Sequence, residues 1–217
     1  MSFQPLDKKI CLTVFLSWLK KEDLSPCVLV GHNMKAFDSR KLLYNMKQHN
    51  LQEQLKECVA GFADTLPAFR KEYNRKGKSK QEILVKEFLN EEYNSHDALQ
   101  DARALQKLAE AKLGKDIVFA HSITTSSHIA KIEYEEDGKM LANTFSLMVK
   151  DKKLTPGMAS KCGNSGLALR HLKLAYQREG DEGVKSLLQE KDENNKPRVT
   201  ARRDIINSIC QWLESNK

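Results

Sequence analysis

Apolar residues in this chain recur mostly at intervals of three and four, and only here and there as short unbroken runs. The helical spacing predicts a helix over residues 8–20, with Ile10, Cys11, Val14, Phe15 and Trp18 on one face and Asp7 as its cap. The run from Cys27 to Val30 predicts a central strand buried on both faces, broken by Gly31-His32-Asn33. Asp38 then caps a helix expected from Ser39 to about His49. A second short strand is expected from Cys58 to Ala63, and Asp64-Thr65 opens a helix to about Tyr73. Residues 80–89 predict a further helix. Ala98, Ala102, Leu105 and Ala109 set an apolar face on a helix over about residues 96–113, with Ser95 as its cap and Gly114 as its stop. Helix, strand, helix, strand, then helices is an α/β order, layered on a sheet at least partly parallel. Sites in such sheets form beyond the carboxyl ends of strands, and Gly31 to Asp38 occupies that place.

The second half reads differently. Ile117 to Ala120 is a short strand or the end of a connector, and helices dominate after Ser122–Ser127. Apolar positions at Phe145, Leu147 and Met148 mark one segment, and Thr155-Pro156 starts another with proline at its first turn. Further helices are expected over Ser165–Gln177, Asp181–Gln189 and Thr200–Glu214, with a polar loop between Glu190 and Arg198. The organisation expected is an α/β domain over residues 1–120 and a mainly helical extension over 121–217, with a soft boundary near 120–142 and no internal repeat.

Composition narrows the function classes. A hydrophobic content of 40% over 217 residues suffices for a packed core. No apolar run reaches the roughly 20 residues of a membrane-spanning helix, and the N-terminal stretch lacks a signal-peptide cleavage pattern. Neither a membrane partner nor secretion is therefore expected. The five cysteines are scattered, odd in number and without a CxxC pair, which suits reduced thiols in an intracellular compartment. Six histidines add no zinc spacing. A net charge of +7 permits phosphate binding, and the basic stretch from Arg170 to Arg203 suits backbone contacts to nucleic acid or simply a solvated helical surface.

The candidate chemistry starts from Asp101. It lies on or beside an apolar helix face, where a carboxylate is costly unless paired, hydrogen-bonded or bound to a metal. His96 precedes it by five residues, so the two can converge only from the helix start and the helix body. Phosphodiester hydrolysis uses acidic side chains to hold one or two Mg²⁺ or Mn²⁺ ions, and a neutral histidine to take a proton from water. Asp38 and Asp101 are the kind of ligands such a site needs, and His96 is the natural base. Plainer roles compete: Asp38 as a helix cap, Asp101 paired with Arg103, His96 on the surface. Asp97 suits the helix N-terminus better than a metal, and the sequence names no partner for His32, Asn33, His121 or His128.

Gly31-His32-Asn33 followed by Phe37-Asp38 resembles the second motif of the DEDDh family of 3′–5′ exonucleases. His96-Asp97-Ala98-Leu99-Gln100-Asp101-Ala102 resembles its third, a His followed five residues later by Asp. The intervening Asp64-Thr65-Leu66 also suits the family. The resemblance implies a ribonuclease H-like fold and two divalent ions, Mg²⁺ or Mn²⁺, held by four carboxylates. Asp38 and Asp101 would be metal ligands, His96 the catalytic base, and Asn33 and Phe37 would lie beside the substrate strand. The implied partner is a DNA or RNA 3′ end. A closer likeness, carried by Gly61 to Pro67 and by Gly157–Lys161, Ser165–Leu167, Arg178–Gly183 and Arg198–Thr200, is to the exonuclease-like domain of the promyelocytic leukaemia protein and its stand-alone animal relatives. It favours the nucleus over the cytoplasm and leaves the helical half for protein partners.

The family's first motif, Asp-x-Glu on the first strand, has no counterpart before Gly31. The expectation is a core lacking its first strands, in a fragment or a degenerate member. Hydrolysis would be impaired in this chain, with an inactive nucleic-acid- or protein-binding module as the alternative.

Overall fold

The computed structural model describes residues 7–22, 24, 26–75, 77, 79–95 and 97–216. They form a mixed α/β structure, mostly helical, with one three-stranded sheet. The chain divides into two compact units, Met1–Ala130 and Lys131–Lys217.

In the first unit, α1 (Lys8–Lys21) starts where its cap predicts, with the Asp7 carboxylate accepting from Lys9 N. Its buried face differs from the expected one. Leu16 and Leu19 are buried, whereas Ile10, Cys11, Val14 and Trp18 are exposed and Phe15 is half-buried. The helix carries a wide apolar arc, and its packing against α3 (Gln52–Cys58) covers only one side of it. Between them lie β1 (Cys27–Gly31) and α2 (Asp38–Gln48). Then follow β2 (Val59–Asp64), α4 (Thr65–Glu72), α5 (Gln81–Leu89), α6 (Ala98–Lys112), α7 (Gly114–Ala120), β3 (Ser122–Thr124) and α8 (Thr125–Asn143). Residues 117–120, expected as strand or connector, are the helical end of α7.

The sheet order is β1-β2-β3. β1 runs parallel to β2 with Gly31 opposite Asp64, and β3 runs antiparallel to β2 with Thr124 opposite Gly61. Among the described residues β1 is thus an edge strand, not the central strand its apolar run predicts, and Val30 is exposed. β2 is the buried strand, and the core on it joins Ala63, Phe69, Leu84, Val85 and Leu108. The apolar face of α6 falls on Ala104, Leu105 and Leu108, while Ala98 and Ala102 are exposed, so the helix is buried only in its second half.

The second unit takes the end of α8 with α9 (Ser146–Lys150), α10 (Pro156–Asn164), α11 (Leu169–Gln189) and α12 (Arg203–Ser215). Thr155 caps α10 through Met158 N, with Pro156 in the first turn as expected. Phe145, Met148, Cys162, Leu172, Val184, Leu188 and Ile209 form its fully buried centre. Gly163 lets α10 approach α8: a Cβ there would strike the Gly138 carbonyl and Ala142. The two helices expected over residues 165–189 run on as α11, broken at Glu179–Gly180, where Gly180 takes φ 58° and ψ −140°, a conformation reserved almost wholly to glycine.

Candidate functional site

The carboxyl ends of the parallel strands β1 and β2 lie side by side, and the chain turns away from each into a helix. Asp64, the last residue of β2, is buried. Its carboxylate accepts three backbone N–H groups, from Asn33 at 3.0 Å, Lys35 at 3.1 Å and Leu66 at 3.0 Å. The last is the cap of α4. The first two reach across to the turn after β1. Bonds to an ionised acceptor are among the strong ones, so this one side chain fixes both strand-to-helix turns. Asn33 sits in the left-handed region (φ 67°), which asparagine tolerates. Gly31 packs directly on the Met34 side chain: a Cβ there would lie 2.8 Å from Met34 Sδ, so Met34 would have to shift.

The turn presents an exposed face. Phe37 is 51% exposed and Lys41 Nζ lies 3.9 Å from its ring centroid. An accessible aromatic face beside a cation is the combination that stacks on bases and meets phosphates. Asp38 is the first residue of α2 and does not cap it: Phe37 is the N-cap residue, with no side-chain cap bond. Partial burial pushes the Asp38 carboxyl up, and the Asp64 charge adds to the rise against the opposing pull of Lys41.

Asp101 belongs to a different cluster. Its helix is capped not by Ser95 but by Asp97, whose carboxylate accepts from Leu99 N and Gln100 N, both at 3.0 Å. The backbone carbonyl of Asp101 accepts from Gln81 Nε2 at 2.8 Å, and the same amide group bonds the Tyr93 hydroxyl at 3.0 Å. Burial, then the charge of Asp101 and a hydrogen bond with it, push the Tyr93 hydroxyl up to about 12. The Asp101 carboxylate therefore has Tyr93 as a partner, while Gln81 holds its backbone carbonyl. His96 lies outside the described residues.

The structure thus brings Asn33, Phe37 and Asp38 together on one turn beside Asp64, and sets Asp101 with Tyr93 and Gln81. Among the described residues no three His, Cys, Asp or Glu side chains gather where a metal ion could sit. The Asp64 carboxylate is itself committed to three backbone amides. By sequence Asp64 opens a helix and, with Thr65 and Leu66, suits the family resemblance; its place at the end of β2, parallel to β1, is the signal for its larger role. His32, which had no partner by sequence, bonds Thr65 Oγ1 through Nδ1 at 2.9 Å and the Ser79 carbonyl through Nε2 at 2.6 Å.

Comparison with protein families gives two matches. Residues 5–109 match the RNase_T family model, described as exonuclease, and residues 141–216 match the model of the PML C-terminal domain. A search of curated proteins finds no match. The chain is therefore similar to the exonuclease family over residues 5–109 and to the PML C-terminal domain over residues 141–216, and the first match supports a nuclease-type function in general. Among the described residues no helix is long and apolar enough to cross a membrane.

Proposed function

We propose, from the exonuclease-family match of residues 5–109, that the first unit is a ribonuclease H-like module that engages the 3′ end of a nucleic acid, with hydrolysis impaired in this chain. The observation that carries this reading is the turn locked by Asp64, which presents Phe37 and Lys41 beyond the carboxyl ends of β1 and β2 inside the matched segment. Asn33 and Phe37 line the substrate strand. Asp38 and Asp101 are the proposed ligands for Mg²⁺ or Mn²⁺, and His96 is the proposed base. Two carboxylates fall short of the four that the resemblance implies, which is why hydrolysis is impaired in this reading. The helical second unit, with its PML C-terminal-domain match, is the proposed surface for protein partners and favours a nuclear location.

The test uses a 3′-labelled oligonucleotide with the full chain, in Mg²⁺, Mn²⁺ and EDTA, beside a binding titration. Retained binding, weakened by Phe37→Ala and steeply by added salt, with little or no shortening, is the result expected. Vigorous metal-dependent shortening, abolished by Asp101→Ala, would show the acidic set to be complete. No binding at low salt by a folded chain would remove nucleic acid as the ligand.

A further inference from the structure

The two sequence motifs lie on different elements, one on the turn after β1 and one at the start of α6, yet a single short segment touches both. His32 Nε2 meets the Ser79 carbonyl at 2.6 Å. Two residues on, Gln81 Nε2 reaches the Asp101 carbonyl and the Tyr93 hydroxyl. Ser79 itself is buried.

The chemistry of His32 suits it to hold this segment. A carbonyl only accepts, so the imidazole carries its proton on Nε2 and donates it to Ser79. In the neutral ring Nδ1 then accepts from the Thr65 hydroxyl. In the protonated ring Nδ1 donates instead, and Thr65 Oγ1 turns its own proton to the Gly31 carbonyl 3.3 Å away. Both states keep every partner. Burial lowers the His32 pKa; the Ser79 bond and the Asp64 charge oppose that, while Arg70 adds to it.

We propose that Ser79–Gln81 is a strap that sets the position of Asp101 and Tyr93 relative to the Asn33–Asp38 turn, with His32 and Gln81 as its positioning residues. The importance of Asp38 and Asp101 rests on the function proposed above; the strap rests on the hydrogen bonds alone. Freeing either end releases the other. In particular, a change at His32 is felt at Gln81 and Tyr93, which it does not touch through any bond described above.

The experiment is NMR of the full chain, without metal or nucleic acid, so that failure of the strap and failure of the nuclease reading stay separate. In His32→Ala the Gln81 side-chain amide pair is expected to move to the shifts of a solvent-exposed glutamine, and Tyr93 Cζ to move with it. His32→Gln, whose amide can donate to Ser79 and accept from Thr65, is expected to restore both. Gln81→Ala reads the strap from its other end and is expected to lose the His32 Nε2–H cross-peak to solvent exchange. Unchanged Gln81 and Tyr93 signals in a folded His32→Ala chain would overturn the proposal. If that variant does not fold, a His32 Nε2–H signal indifferent to Gln81→Ala would do the same.

Discussion

The two units bury different kinds of side chain. The first buries Ser39, Asp64, Thr65, Ser79, Thr125 and His128, and Thr200 is the polar counterpart among the described residues of the second. The second unit closes on an almost purely apolar centre of Phe145, Met148, Leu172, Val184, Leu188 and Ile209. A buried polar group adds little net stability when satisfied and costs a good deal when it is not, but it selects one arrangement of the chain. Asp64 shows this most clearly, because its bonds tie two turns, a tie that Thr65 reinforces through His32 and the Gly31 carbonyl. The first unit thus spends interior volume on specifying the geometry of a turn, whereas the second uses it for packing.

That contrast can be broken from either side. The largest effect is expected from Phe145→Ala, which opens a cavity in the apolar centre and destabilises the second unit by about 3–5 kcal/mol. Urea unfolding followed by Trp212 fluorescence in a Trp18→Phe background measures it. Next, Asp64→Ala takes the acceptor from three part-buried amides and is expected to cost about 1–3 kcal/mol; amide exchange in β1 and β2 reads the loss.

A smaller, pH-dependent effect belongs to His32. Its folded pKa lies below the ordinary value of about 6.5, so the unfolded chain binds the proton more readily. Its share of stability is present above that value and is lost as pH falls through it toward the folded pKa. His32→Gln should therefore flatten the fall in urea midpoint between pH 7 and pH 5. The smallest effect is expected at Ser79, whose buried hydroxyl has no hydrogen-bond partner among the described residues. Ser79→Ala should be neutral or stabilising by less than about 1 kcal/mol, which a thermal melt will show.

Much of this was legible where a local signal and the tertiary outcome agree. Asp7, Asp64 and Thr155 each cap the helix they were expected to start, because a cap bond is made within three residues and needs nothing from elsewhere. Asp97 took the cap expected of Ser95, two residues away and of similar chemistry. Strand β3 is three residues long, too short to show a period, and exists because β2 offers it an edge. The direction in which α1 turns its apolar arc is likewise a property of its neighbours. At the site, the likeness to known motifs pointed to Asn33, Phe37, Asp38 and Asp101. It could not show that a tyrosine would pair with the Asp101 carboxylate or a glutamine with its backbone carbonyl, since those contacts depend on how α5 and α6 meet.

The exposed arc of α1 and the edge of β1 bear on how the protein behaves in the tube. Ile10, Val14 and Trp18 offer sticky surface, and an edge strand with no further partner among the described residues is a template for other chains. The net charge of +7 holds copies apart when salt is low. Salt shortens the reach of that repulsion to about 10 Å at 0.1 M and leaves the apolar attraction intact. Raising ionic strength therefore pulls two ways: it loosens phosphate contacts and promotes self-association. A binding curve that fades with salt needs a light-scattering trace beside it, because clumping would mimic a lost electrostatic contact.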